Sequence, residues 1–227
     1  MDWLKVIIML VLGFGGGFFV PILAQKLILF KEKQKNKAYP AGKRYTSLGC
    51  KFLCAAVSAA GLGVCAYWQP SWFQLVIAAA VWILGMVIML VDMQVRIIAN
   101  ESVLLLLALA GVHRLVQTGL DGLLNSLLAM VVIIAVWMFL GAFLGWWKVG
   151  AGDVKLCGAI GFLYGFPDVC MPLLLMAVAT VVFCSGGLLL RKVTLKTMFP
   201  MAPLLVAGML LGLPYIFWVQ AGNTPLF

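Results

Sequence analysis

The feature that most constrains this chain is the length of its uncharged segments. No charged side chain occurs between Lys51 and Asp92, and further uncharged runs cover 122–147 and 169–190. A helix crosses the hydrocarbon core of a bilayer with about 20 residues, so these runs are long enough to span it. Only 10% of the residues are charged, whereas a soluble domain usually carries about a quarter. The sequence therefore predicts an all-α polytopic membrane protein with 1–227 in one embedded domain.

Turn-forming and charged residues divide the apolar sequence into about eight predicted transmembrane helices in one bundle. We expect these helices over 4–29, 49–68, 72–91, 98–116, 123–147, 153–164, 169–190 and 200–219. Pro70 and the segments 117–122 and 165–168 are typical of turns between them. The glycine-rich part of the first helix, 13–17, is expected to allow either close packing or a kink.

The basic residues predict the orientation of the bundle, because Lys and Arg favour the cytoplasmic flank of a membrane. With eight spans and the N-terminus outside, only Lys5 and Arg114 of the 16 basic residues fall outside. The segment 31–48 then forms a short basic cytoplasmic loop. The net charge of +9 is thereby attributed to topology and to contact with anionic lipid. Nucleic-acid binding is not expected, because no aromatic–basic pattern accompanies the charge.

The cysteines and the single histidine do not indicate a metal site. The six cysteines lie in or beside the apolar runs and form no C-x-x-C pair; they are Cys50, Cys54, Cys65, Cys157, Cys170 and Cys184. We expect them to be small apolar packing residues. His113, alone near a predicted loop, is expected at the membrane interface.

Two of the seven acidic residues stand apart from the others. Asp92 and Asp153 each follow a full apolar span, and two predicted spans separate them, so both fall at the same membrane boundary. The remaining acids are expected in solvated turns, on the surface or in the first turn of a helix, where an anion is favoured; they are Asp2, Glu32, Glu101, Asp121 and Asp168.

The surroundings of the two aspartates suggest different environments for their carboxyls. Gly150 and Gly152 allow close backbone approaches, and Asp153 begins a helix whose free N–H groups stabilise an anion. Asp92 ends a helix in an apolar setting that favours protonation. An ionised carboxyl can draw a proton from water while a protonated one polarises a peptide carbonyl. Such a pair titrates as a unit, so the sequence does not assign the two roles.

A purely structural role for either aspartate is the competing interpretation. Asp92 precedes Arg96 by four residues, and Asp153 has Lys155 close by. Aspartates at membrane boundaries commonly cap helices or pair with such cations.

The sequence around Asp153 resembles a known family signature. The segment GAGDVKL, 150–156, is similar to the G-x-G-D-x-K-L motif of type IV prepilin peptidases, which are intramembrane aspartic proteases of the GxGD class. VDMQVRIIANE resembles the segment of the family's first aspartate; Asn100 matches, and Ala99 replaces the usual proline. FPMAPLLVAG, 199–208, is similar to the start of the family's last helix, and GGGFFVPIL loosely resembles the family's opening.

The resemblance implies a specific activity. Such enzymes remove the basic leader of prepilins or pseudopilins, in pilus assembly or type II secretion. They cut on the cytoplasmic side of the inner membrane, after a glycine that precedes the apolar helix. Asp92 and Asp153 would be the catalytic pair. Gly150, Gly152 and Lys155 match motif positions that shape the site or bind substrate.

The resemblance also bears on cofactors and partners. Many members carry a cytoplasmic insertion with two C-x-x-C pairs and methylate the new N-terminus with S-adenosylmethionine. The segment 31–48 stands in place of that insertion and contains no cysteine, which argues against zinc and against methyl transfer. Proteolysis itself requires no cofactor. The expected partners are the prepilin substrate and the bilayer, and the sequence gives no oligomeric state.

Two other functions also fit the paired acids. A proton-coupled transporter can relay protons through intramembrane carboxyls, although carriers usually place their charges near the bilayer midplane and often show inverted repeats. A non-catalytic assembly scaffold is the second alternative, and both aspartates would then be replaceable.

Overall fold

A computed structural model describes residues 3–36, 39, 46–69, 71–144, 150–189 and 201–222. This part of the chain contains seven α-helices and no strand. The helices are α1 (Trp3–Lys35), α2 (Leu48–Trp68), α3 (Trp72–Val95), α4 (Asn100–Leu144), α5 (Ala151–Tyr164), α6 (Cys170–Leu189) and α7 (Ala202–Gln220).

Six of these helices, all except α5, are long and apolar enough to cross a membrane. Helix α5 has 14 residues, which at 1.5 Å per residue is shorter than a hydrocarbon core of about 30 Å. The prediction of a helical membrane protein is confirmed for the described residues. The count of eight spans and the external N-terminus are not confirmed and stay predictions.

Helix α4 is broken at Gly119, whose φ of 69° and ψ of −157° are not helical. Its first arm, 100–118, runs parallel to α5. Lys155 of α5 lies at Asn100, and Phe162 packs against Gly111. Because the residue numbers rise together in these contacts, the two helices point in the same direction.

The second arm of α4, 120–144, runs antiparallel to α5. Gly158 of α5 packs against Ile134 of the second arm. Just beyond the end of α5, the carbonyl of Phe166 accepts a 2.6 Å hydrogen bond from the side-chain amide of Asn125. The residue numbers change in opposite directions here, so the two arms form a hairpin. The turn predicted within 117–122 is confirmed.

The core of the bundle surrounds α3, which packs against α1, α2, α4 and α7. About 67% of the most apolar 18-residue segment of α3 is buried inside the protein, compared with 6% of the corresponding segment of α6. Gly85 lets α7 approach, because a Cβ at this position would lie 2.8 Å from Cε of Met209. Asp92, farther along α3, therefore belongs to the central helix of the protein.

The glycine-rich segment of α1 packs directly against α2. A Cβ at Gly13 would lie 2.6 Å from the carbonyl oxygen of Ser58, and one at Gly17 would lie 2.5 Å from that of Cys54. Small residues that let two backbones approach are typical of helix contacts in membranes. Of the two outcomes predicted for this segment, the structure shows close packing.

The basic segment after α1 differs from the prediction. The helix continues to Lys35, so 31–35 is helical and does not belong to a loop. Lys31 is buried and its Nζ lies 2.6 Å from a carboxylate oxygen of Glu101. Other predicted basic or boundary residues lie outside the described residues: Asp2, Lys37, Lys43, Arg44, Lys148, Arg191, Lys192, Lys196 and Pro200.

The expectations for the histidine and the cysteines are met only in part. His113 is 5% exposed and lies near the ring of Phe217, so it packs inside the bundle, and its position at the membrane interface stays a prediction. The apolar packing role is confirmed for three buried cysteines, Cys54, Cys65 and Cys157. Cys170 is exposed, because it starts α6 on the periphery of the bundle.

The contact between α1 and α2 predicts a difference between two neighbouring glycines. We expect Gly17→Ala to destabilise the protein by about 1–3 kcal/mol, because the new methyl group overlaps the α2 backbone. Gly15→Ala is the matched control, since a Cβ there meets no described atom within 4 Å. Thermal unfolding in detergent, followed by tryptophan fluorescence, measures both. Equal unfolding midpoints for the two variants would contradict this packing.

Candidate functional site

Asp92 lies in the last turn of α3, at the point where the helix ends. Arg96 adopts a left-handed conformation with φ 53°, and its N–H donates a 2.9 Å hydrogen bond to the carbonyl of Asp92. This cap stops α3 and turns the chain through 96–99 into α4. The side chain of Asp92 is directed inward and is 5% exposed.

The Asp92 carboxyl faces the start of α7. The backbone N–H of Ala202, in the first turn of that helix, donates toward the carboxyl. Free N–H groups at a helix N-terminus stabilise a negative charge. The Oδ2 atom is buried and has no hydrogen-bond partner among the described residues. Arg96 is exposed and acts on Asp92 electrostatically, but it forms no ion pair with it in the described part of the chain.

Asp153 is the third residue of α5 and folds back onto the residue that precedes the helix. Gly150 is the N-cap, and its N–H donates toward the Asp153 carboxyl. This contact corresponds to the reciprocal half of a capping box. Asp153 lies outside the six candidate spans. Burial raises the pKa of its carboxyl above the usual range, and the Gly150 N–H partly offsets that increase.

The two glycines of the motif are needed for space. Gly150 has an ordinary φ of −71°, but a Cβ there would lie 2.6 Å from Oδ2 of Asp153. A Cβ at Gly152 would lie 3.1 Å from Cβ of Ile98. Gly150 therefore leaves room for the carboxylate, and Gly152 lets α5 approach the connection between α3 and α4.

The structure brings the two predicted aspartates together. Asp153 is close enough to act on Asp92 electrostatically, although 60 positions separate them in the chain. One carboxyl comes from the end of α3 and the other from the start of α5. Their roles in a reaction stay predictions.

Lys155 links the start of α5 to the start of α4. Its Nζ donates a 3.2 Å hydrogen bond to Oδ1 of Asn100, and Asn100 is the residue that matched the family's first aspartate segment. The lysine therefore orders the rim of the site. The competing interpretation paired Lys155 with Asp153, whereas the structure pairs the lysine with Asn100.

Helix α7 holds the two aspartate-bearing helices in register. The hydroxyl of Tyr164, at the end of α5, donates a hydrogen bond to the carbonyl of Met209. The side chain of Met209 in turn packs at Gly85 of α3. The same helix presents the N–H of Ala202 to Asp92, so α7 contacts both halves of the site.

A second polar cluster lies at the opposite end of α5 and was missed by the sequence analysis. Arg114 is 5% exposed, and its Nε and Nη2 have no hydrogen-bond partner within the described ranges. Asp168 is half-buried nearby; burial raises the pKa of this carboxyl, and Arg114 opposes the rise. Asp168 lies in a turn as predicted but is only partly exposed to solvent, whereas Asp121 is exposed as predicted.

The sequence contained a signal for this cluster. Arg114 stands inside a predicted span, and a cation within a membrane segment calls for a partner. Asp168, in the turn after α5, lies at the matching depth because α5 runs parallel to the first arm of α4.

The described residues contain no group of three or more potential metal ligands. Comparison of the chain with protein-family models, with curated proteins and with solved structures gave no match. The interpretation of this site therefore depends on its own residues and their geometry.

The link between α5 and α7 predicts a measurable loss of stability. We expect Tyr164→Phe to cost about 0.5–1.5 kcal/mol, because it removes one buried hydrogen bond without changing the packing volume. Tyr67→Phe is the matched control, since Tyr67 is exposed. Thermal unfolding in detergent compares the two, and an unchanged midpoint for Tyr164→Phe would contradict the proposed link.

Proposed function

We propose that this protein is a membrane aspartic endopeptidase of the prepilin leader peptidase type. It removes the leader of type IV prepilins or pseudopilins on the cytoplasmic side of the inner membrane, after a glycine that precedes the apolar helix. The observation that carries this proposal is the electrostatic proximity of Asp92 and Asp153, which come from separate helices at one end of the bundle. The G-x-G-D-x-K-L resemblance supports the same assignment.

The environment of the pair suits acid–base hydrolysis. Two neighbouring carboxyls disfavour each other's ionisation, so the pair tends to share one proton. The ionised member draws a proton from a water molecule, and the protonated member donates to the carbonyl of the scissile bond. The Oδ2 of Asp92, which has no hydrogen-bond partner among the described residues, is available to the water or to the scissile carbonyl, depending on which carboxyl carries the proton.

The position of the pair suits a substrate that is cut beside a membrane helix. Asp92 is in the last turn of α3 and Asp153 in the first turn of α5. A peptide whose apolar helix lies in the bilayer would present its preceding residues at this level. The eight-span arrangement with an external N-terminus belongs to the proposal, because it directs this end toward the cytoplasm.

The proposal assigns no metal or cofactor to peptide cleavage. No described group of side chains fits zinc. The segment 31–48 replaces the family's cysteine-bearing insertion, and its residues 37, 38 and 40–45 lie outside the described residues. S-adenosylmethionine would be needed only for N-methylation, which the proposal does not include.

The location of the acids also weighs against the two alternatives. A proton-coupled carrier usually holds its charges near the bilayer midplane, whereas these acids lie near helix ends. A scaffold has no need for a buried carboxylate oxygen without a partner, because such an atom costs folding free energy.

Substitution of either aspartate tests the proposal. We expect Asp92→Asn and Asp153→Asn each to lower cleavage of a prepilin substrate in detergent by at least about 100-fold, because each removes one half of the acid–base pair. Asp121→Asn, at an exposed position at the start of the second arm of α4, is the matched control and should cleave normally. Product formation is followed by mass spectrometry of the released leader.

The same assay separates the competing functions. Normal cleavage by either variant would refute the assignment of the pair. Absence of cleavage in the wild-type protein, with several prepilin substrates, would refute the proposed activity.

Gly150 tests the geometry of the site without changing a charge. We expect Gly150→Ala to lower kcat about tenfold or more, because the methyl group would displace Oδ2 of Asp153 from its productive position. The fold should persist, since only the end of a side chain must move. Gly186→Ala, where a Cβ meets no described atom within 4 Å, is the control. An unchanged kcat in Gly150→Ala would contradict this role.

A further inference from the structure

An apolar groove opens on the side of α3 that faces α1 and the first arm of α4. Its volume is about 730 Å³. Helix α3 forms the floor, and the other two helices form the walls. The apolar lining includes Met9, Leu27, Ala80, Ile83, Leu105 and Leu109. Because all three helices are candidate membrane spans, the groove is open to molecules of the bilayer.

The groove does not belong to the aspartate site. Val87 lines the groove, and Asp92 follows it by five residues. At about 100° per residue, Asp92 points roughly 140° away from Val87 around α3. A substrate helix in this groove would begin on the wrong side of α3 for cleavage at Asp92 and Asp153.

An ion pair between the buried Lys31 and the exposed Glu101 closes one end of the groove. Lys31 of α1 reaches across to Glu101 of α4, with 2.6 Å between Nζ and Oε2. The same Nζ donates a 2.7 Å hydrogen bond to Gln34. These polar groups lie across the gap between the two walls, so no helix of about 10–12 Å diameter passes at this end. A hydrocarbon chain is much thinner and fits beneath the pair.

An exposed lysine lies beyond the ion pair. Glu101 neutralises Lys31, but Lys35 lies one turn farther along the same face of α1 and is exposed. Lysines next to a membrane span attract the phosphate of a lipid headgroup. An apolar groove that ends at an exposed cation has the charge distribution of a phospholipid site.

We propose that this groove binds a membrane phospholipid, with an acyl chain between α1 and α4 and the headgroup phosphate beside Lys35. The ion pair between Lys31 and Glu101 forms the boundary between the two parts of the ligand. This site is independent of the proposed peptidase activity.

Native mass spectrometry of the delipidated full-length protein, titrated with dioleoylphosphatidylglycerol, tests the proposal. We expect the wild type to bind one molecule of this lipid more tightly than any further molecules of it. Ala80→Trp fills the groove and should weaken that binding at least about tenfold. Val131→Trp is the matched control, because Val131 is 58% exposed on the second arm of α4 and does not line the groove.

Lys35→Gln tests the headgroup contact at an exposed position where folding is not at risk. It should weaken binding about threefold or more and keeps the test decisive if Ala80→Trp does not fold. Equal lipid binding by wild type and Ala80→Trp, or by wild type and Lys35→Gln, would overturn the proposal. A dimeric wild type together with a monomeric Ala80→Trp would also overturn it, by showing that a second copy of the chain occupies the groove.

Discussion

The approach of the first turn of α5 to the end of α3 brings Asp153 within electrostatic reach of Asp92. This approach depends on Gly152, which leaves room for Ile98, and on the hydrogen bond between Lys155 and Asn100. If α5 moved outward, Asp153 would keep its cap contact with Gly150 but would lose its neighbour. Asp92 would then only cap the start of α7, Asp153 would only cap the start of α5, and the two carboxyls would no longer form one site.

A membrane protein meets a large cost when it places a buried acid next to a partly buried one. The start of α7 reduces this cost through the N–H of Ala202, and the Gly150 N–H does the same at Asp153. The compensation is incomplete, because one oxygen of Asp92 has no partner among the described residues. Such an atom is expected where a water molecule or a substrate must bind.

Much of the fold could be predicted from the sequence, because charge and turn residues mark helix ends directly. The break at Gly119 is an example. For the glycines at 13–17 the sequence left close packing and a kink open, and the structure shows close packing at Gly13 and Gly17. The burial of His113 and the partnership of Arg114 with Asp168 could not be predicted in the same way. Helical periodicity shows which face a residue occupies, whereas its partner depends on which helices become neighbours in three dimensions.

The central claim is that the carboxyls of Asp92 and Asp153 share one site. Cysteine cross-linking tests it directly, with Asp92→Cys and Asp153→Cys combined in an otherwise cysteine-free protein and treated with a short thiol-specific bifunctional reagent. We expect efficient intramolecular cross-linking of this pair, and none when Asp92→Cys is combined with Asp168→Cys at the far end of α5. Failure of the first pair to cross-link in the folded protein, or equal cross-linking of both pairs, would contradict the account.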